Sequence, residues 1–246
     1  MPLLSIEGVT VTFGGLQALS EVRLDVDAGR VAGLIGPNGA GKTTLFNVIC
    51  GLQAPTRGRV VLDGRDLTGL HAHKRARRGI ARTFQQLEVF GSLTARENVL
   101  VAAEIRAGWA RDRSNPAAVT DEILDRVGLR VAADERVDAI PTGLARLVEV
   151  GRALATKPRV LLLDEPSSGL DESESETFGQ LLLGLAADGL GVLLVEHDMA
   201  LVMRTCEHID VLDFGQVIAS GPPDAIRSNP TVQAAYLGEG IDGDAA

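Results

Sequence analysis

Aromatic side chains are scarce in this chain: its 246 residues include six Phe, one Trp and one Tyr. A base-stacking platform needs several exposed rings, which argues against a nucleic-acid partner. Positive charge is also in deficit, with 24 Lys and Arg against 33 Asp and Glu and a net charge of −9. That field offers little to nucleic acid and is repelled by an anionic membrane surface. Only two cysteines occur, Cys50 and Cys206. They sit in apolar helical contexts without partner spacing and read as buried free thiols of a reducing compartment. No uninterrupted apolar run approaches the roughly 18–20 residues of a membrane span. Residues 1–6 lack the basic and apolar regions of a signal peptide. The expectation is a soluble cytoplasmic protein.

What is present is enough for a sizeable core. Hydrophobic residues make up 45% of the chain and charged residues 23%, ordinary globular values. The length allows one large domain, or one with a subdomain. Leu4 and Ile6 alternate with polar neighbours, Gly8 interrupts, and Val9, Val11 and Phe13 resume; this is strand periodicity with a bulge at glycine. Val22–Val26 and Arg59–Leu62 repeat the alternation. Val31–Ile35, Val160–Leu163 and Val192–Val195 are instead almost wholly apolar, as strands buried on both faces of a parallel sheet are. Helical spacing follows in Leu45/Val48/Ile49/Leu52, Leu144/Leu147/Val148/Gly151 and Phe178/Leu181/Leu182/Leu185. Asp171 and Glu174 have the spacing of a capping box. The pattern predicts an α/β core with a mostly antiparallel β piece at the amino end. Residues 88–142 show no strand signal, Asn115-Pro116 breaks them, and they read as a helical insertion. The acidic, glycine-rich end Gly238–Ala246 reads as frayed.

Gly36-Pro37-Asn38-Gly39-Ala40-Gly41-Lys42-Thr43 fits G-x-x-x-x-G-K-[ST] between a buried strand and a helix. Its glycines let backbone N–H groups turn toward phosphate oxygens, and the helix end adds partial positive charge. Lys42 supplies a point charge to the β- and γ-phosphates, and the Thr43 hydroxyl is an Mg²⁺ ligand. The apolar strand Val160–Leu163 ends in Asp164 and Glu165. Mg²⁺ takes few protein ligands, so Asp164 suffices through a water. Glu165 is left to polarise the water that attacks the γ-phosphate. Together these halves predict a nucleotide triphosphatase.

In their order, Gly36–Thr44, Gln85, Asp164-Glu165-Pro166, Ser168-Gly169-Leu170-Asp171 and His197 resemble an ATP-binding cassette (ABC) ATPase, from Leu4 to about Tyr236. Gly79–Gln85, Leu93–Leu100 and Gly221–Leu237 look like the branch that energises branched-chain amino-acid importers. The resemblance implies a P-loop fold of ABC type: a mostly parallel core sheet, an antiparallel β subdomain and a helical subdomain. It implies a single domain over 1–240 with the helical subdomain inserted at about 88–155, and a flexible tail at 241–246. It also implies that Phe13 stacks on adenine, that Pro37, Asn38, Gly39, Ala40 and Thr44 share the nucleotide with Gly36, Gly41, Lys42 and Thr43, and that His197 contacts the γ-phosphate. Gln85 would join the Mg²⁺ region to a membrane subunit. Its place at the end of a predicted strand, just before the helical insertion, supports that link. Asp171 would reach toward a partner chain. The implied cofactors are ATP and Mg²⁺. The implied partners are a second ABC ATPase subunit, transmembrane permease subunits and, indirectly, an extracytoplasmic solute-binding protein, with no nucleic acid; the chain would sit peripherally on the inner face of the plasma membrane. Other cargo such as urea, or a non-transport ATP-dependent clamp, is the alternative.

One segment departs from the family pattern. Its signature Leu-Ser-Gly-Gly-Gln aligns with Ile140-Pro141-Thr142-Gly143-Leu144, which lacks the serine hydroxyl and the glutamine amide. The run His71–Arg78 reads as a solvated helix, because histidines two apart do not share a helix face and basic residues without stacking rings make a weak nucleic-acid patch. A small-molecule kinase would leave Gly169-Leu170-Asp171 and His197 unexplained, and cassette ATPases of repair or translation usually carry tandem cassettes or long inserts, neither of which is present.

Overall fold

The computed structural model describes residues 1–110 and 114–237; the acidic end 238–246, with the tail expected at 241–246, lies outside the described residues. The chain opens with the antiparallel hairpin β1 (Leu4–Phe13) and β2 (Leu16–Val26). Gly8 takes φ 62° and the register with β2 jumps between Ile6 and Val9, so the interruption in the sequence is a bulge. There follow β3 (Val31–Ile35), α1 (Lys42–Cys50), β4 (Arg57–Leu62), β5 (Arg65–Asp66), α2 (Ala72–Ala76) and β6 (Ile80–Arg82). Next come α3 (Ala95–Ala110), α4 (Pro116–Arg126), a 3-10 turn at Val137–Ala139 and α5 (Thr142–Ala155). The remainder is β7 (Val160–Asp164), α6 (Glu172–Ala187), β8 (Gly191–Val195), α7 (Met199–Thr205), β9 (His208–Asp213), β10 (Gln216–Gly221), α8 (Pro223–Arg227) and α9 (Pro230–Leu237).

Two sheets form. One has the order β2-β1-β4-β5 and is antiparallel; the other has the order β10-β9-β3-β8-β7-β6 and is parallel except at its β10 edge. The continuous apolar runs have a direct explanation. In β7, Leu161 and Leu163 face a core shared with α5 and α6, while Val160 and Leu162 face a second core shared with α1 and the antiparallel sheet. A strand covered on both faces has no solvent side to make polar. Between β6 and α5, Asn115 Oδ1 caps α4 by accepting from Ala117 N at 3.0 Å, and among the described residues the only β pairing there is the isolated bridge Thr94–Arg136. Asp171 and Glu174 do form the capping box at the start of α6. Both cysteines are free, but only Cys206 is buried as expected and Cys50 is half-buried; desolvation pushes their thiols up to about 12 and about 11 respectively.

Two expectations need correction. Leu52 has the spacing of the α1 face, but α1 ends at Cys50 with Gly51 at φ 75° as its left-handed cap, and Leu52 is 58% exposed beyond it. The basic run is not simply a solvated helix either. Arg75 is 1% exposed, and its Nη1 donates to the carbonyls of Val48 (2.7 Å) and Ile49 (3.0 Å). Carbonyls at the end of α1 are short of backbone donors; Val48 O already accepts from Gly51 N (3.1 Å), and the guanidinium adds a donor there and one to Ile49 O.

Candidate nucleotide site

The site lies beyond the carboxyl ends of the central parallel strands, where open α/β sheets bind ligands. From Ile35 the chain turns at Gly36, whose φ is 152°; a Cβ there would stand 1.9 Å from the Leu212 carbonyl oxygen of β9. Only glycine passes that point. The loop is tied to the β9–β10 turn by Gly215 N donating to Ala40 O at 2.9 Å. Gly41 begins α1 without a side-chain cap, and the first turn carries no acid. Its leading N–H groups are therefore suited to an anion. Lys42 spans the loop, its Nζ donating to Gly36 O (2.5 Å) and Pro37 O (2.9 Å). Thr43 is exposed and Thr44 half-buried. Phe13 closes the β1–β2 hairpin opposite Leu16 and is 47% exposed.

Asp164 ends β7 and is 4% exposed. Its Oδ2 accepts from Arg82 Nη2 at 2.8 Å. The same guanidinium donates to Asn47 Oδ1 of α1 at 2.6 Å and lies over the rings of Phe46 and Phe84, 5.4 and 4.8 Å from their centroids. The sequence alone does not mark Arg82. Nothing in local spacing says that the end of β6 abuts the acid of β7.

Glu165 follows in the left-handed region, φ 49°, with its N–H donating to Val195 O at 2.8 Å. Its two oxygens are both held: Oε2 accepts from Gln85 Nε2 and Oε1 from His197 Nε2, each at 2.8 Å. Three residues expected at the site, from the loops after β6, β7 and β8, thus meet on one carboxylate. Gln85 does not end a strand, as the sequence suggested. β6 stops at Arg82, and after Thr83 N donates to Leu162 O (2.9 Å) the chain leaves the ladder. The loop is pinned by α5 instead. Arg146 donates to Phe84 O (3.2 Å) and Gln85 O (2.8 Å), and Phe84 N donates to Glu149 Oε1 (2.9 Å). Burial pushes the Glu149 carboxyl above its ordinary range, opposed by the Phe84 N–H and Arg146. Neither Arg146 nor Glu149 was singled out from sequence; their i,i+3 spacing was the available signal.

The variant signature Ile140–Leu144 begins α5 with Pro141 at the cap position and no side-chain cap. Gly143 is buried, and a Cβ on it would lie 2.7 Å from Glu174 Oε1. The capping-box carboxylate of α6 therefore stands over the signature backbone. For Mg²⁺, no cluster of His, Cys, Asp and Glu among the described residues is arranged as a metal site. The oxygens of Thr43, Asp164 and Gln85 are all hard donors, the type Mg²⁺ takes alongside waters and substrate phosphates. That donor chemistry fits.

The family model described as "ABC transporter" matches residues 19–168, and one described as "Branched-chain amino acid ATP-binding cassette transporter" matches residues 216–242. The high-affinity branched-chain amino acid transport ATP-binding protein BraF of Pseudomonas aeruginosa is 41% identical, covering 97% of this chain and 98% of that protein. LivG of Escherichia coli, described in the same words, is 38% identical with the same coverage. The lipopolysaccharide export system ATP-binding protein LptB of Haemophilus influenzae is 34% identical over 97% of this chain and 98% of that protein. A crystal structure of a nucleotide-free ATP-binding cassette from an ABC transporter superposes with a TM-score of 0.87 at 30% identity, covering 96% of this chain and 99% of the other. With relatives 34–41% identical over 97% of its length and a family model matching residues 19–168, the chain belongs to the ABC transporter family, among its ATP-binding ATPases.

Proposed function

We propose that this ATPase powers the import of branched-chain amino acids through separate transmembrane permease subunits, from the inner face of the plasma membrane. The observation that carries the reading is the Glu165 carboxylate held at both oxygens by Gln85 and His197 beside the phosphate loop. The names of the BraF and LivG relatives support the cargo. Lys42 and the N–H groups of Gly39–Thr44 take the phosphates, and Phe13 stacks on the adenine. Thr43, Asp164 and Gln85 hold Mg²⁺, which when bound neutralises β- and γ-phosphate charge. Glu165 accepts the proton of the attacking water, and His197 and Gln85 hold the carboxylate in line for it.

No helix among the described residues is long and apolar enough to cross a membrane, so this reading assigns the membrane path to other chains. A groove of about 410 Å³ includes Leu52, Arg82, Phe84, Glu149 and Arg152 in its lining. It adjoins the Gln85 loop and suits an apolar element of the permease. Asp171 and Ile140–Leu144 face a second cassette subunit, and the solute-binding protein acts only through the permease. The test is ATP turnover by the complex reconstituted with its permease. Leucine-, isoleucine- or valine-loaded binding protein is expected to stimulate it. Stimulation by urea alone would move the cargo, and no turnover at all would favour a clamp.

Lys42→Ala is expected to weaken ATP binding by roughly 10–150-fold, the equivalent of about 1.5–3 kcal/mol for a lost charged hydrogen bond. Calorimetry on the isolated chain checks this, and unchanged affinity would refute the phosphate-loop assignment. A second expectation concerns the signature. Pro141 and Leu144 offer no hydroxyl or amide to the nucleotide on the partner's loop, so that site is expected to be slower by roughly 10–150-fold. This chain's own Glu165 then carries most of the turnover in an asymmetric heterodimer. Mutating the base in each subunit separately checks it: equal losses, or no gain from P141S with L144Q, would defeat the asymmetry.

A further inference from the structure

His197 is flanked by two acids, Glu196 and Asp198, to which the proposed chemistry gives no part. Glu196 directly follows β8 and is 3% exposed. Its Oε1 accepts from Ser167 N at 2.7 Å, and its Oε2 accepts from His197 N at 3.0 Å, with Asp198 N further off at 3.5 Å. Burial pushes the carboxyl above its ordinary range, and these N–H groups together with the Ser167 hydroxyl oppose that. Asp198 fastens the other side through hydrogen bonds to both of its oxygens. Its Oδ1 caps α7 through Ala200 N and Leu201 N, and its Oδ2 accepts from Ser175 Oγ of α6 at 2.9 Å. The two acids therefore grip the two ends of the segment Ser167–Ser175, which carries Asp171. Within that segment Leu170 N donates to Ser167 O (2.9 Å) and Ser168 N to Glu165 O (3.3 Å), so it is also closed on the base itself.

The geometry points to Glu196 as a positioning residue: it fastens the start of the Ser167–Ser175 segment to the His197 turn and so holds His197 on Glu165. Its carboxylate is suited to this because both oxygens accept and neither donates. A glutamine in its place must turn its NH₂ toward one of the facing N–H groups, and one side of the bracket opens without any loss of volume. The inference rests on the ATPase reading of the site and adds a link that reading does not require.

The test uses Glu196→Gln in the full chain. In the complete transporter complex, turnover is expected to fall by about tenfold or more. ATP affinity of the chain by calorimetry is expected to stay within about twofold, since the phosphate loop is untouched. In the isolated chain, the His197 ring ¹⁵N signals are expected to shift and the Ser167 amide to exchange faster, while α6 amides keep their protection. Ser175→Ala, which opens only the Asp198 side, is expected to do the same more weakly, and it decides the matter if Glu196→Gln does not fold. Wild-type turnover in a folded variant, or lowered turnover with unmoved His197 signals, overturns the inference. A wild-type complex that does not hydrolyse ATP would instead overturn the ATPase reading; the His197 signals then still report on the bracket.

Discussion

Glu165→Gln is expected to bind ATP as the wild type does and to lose turnover by roughly 10²–10⁴-fold, the range for removing a positioned general base. The substitution keeps the size of the side chain and the left-handed turn that aims it. It removes the negative charge that His197 and Gln85 now converge upon, each at 2.8 Å. An amide cannot take a proton from water, and it presents an NH₂ group to one of the two donors that faced an oxygen. Calorimetry of ATP binding and turnover of the assembled complex separate the two effects. Turnover within a few-fold of wild type would remove Glu165 from the mechanism and leave its two partners without a catalytic purpose.

Arg82→Met is expected to destabilise the fold by about 3–5 kcal/mol, the cost of breaking a buried ion pair from one side. Methionine retains apolar contact with Phe46 and Phe84 but leaves the buried Asp164 carboxylate without the Arg82 guanidinium. The loss is comparable with a large part of a typical domain's stability of about 5–15 kcal/mol. Urea unfolding measures it, and the double variant Arg82→Met/Asp164→Asn is expected to recover much of the loss, because the stranded charge is then gone. A loss below about 1 kcal/mol, the worth of an exposed pair, would show that the pair contributes no more than a surface contact.

Much of the candidate site is legible in the sequence, for reasons that can be named. The phosphate loop is a local object. Its glycines, lysine and threonine lie within one turn between a strand and a helix, so spacing alone reveals it. Asp164 and Glu165 are visible because a strand buried on both faces leaves its first charged residues at its carboxyl end. Glu165, Gln85 and His197 were each named from sequence, but their convergence on one carboxylate was not derivable from it. That meeting depends on β6, β7 and β8 lying side by side in parallel, which long-range pairing decides.

The errors share a cause. Arg75 and Leu52 were judged by their immediate neighbours, as a charge in a basic run and an apolar residue in helical register. Arg75 is buried because α2 packs on the open carbonyl end of α1, and Leu52 is exposed because Gly51 stops that helix. Gln85 reads as the end of a strand just before the helical insertion, whereas the ladder to β7 runs out at Arg82 and α5 holds the loop beyond.

By itself, then, the sequence determined the α/β class, the glycine-rich loop between strand and helix and the acids at the strand ends, since each follows from composition or spacing within a few consecutive residues. The tertiary structure alone decided which distant groups meet. Arg82 reaches Asp164, Arg146 and Glu149 grip the Gln85 loop, Glu174 stands over Gly143, and Glu196 holds Ser167. These are charged or polar contacts between segments far apart in the chain, and a buried charge is stable only where the fold brings it a partner.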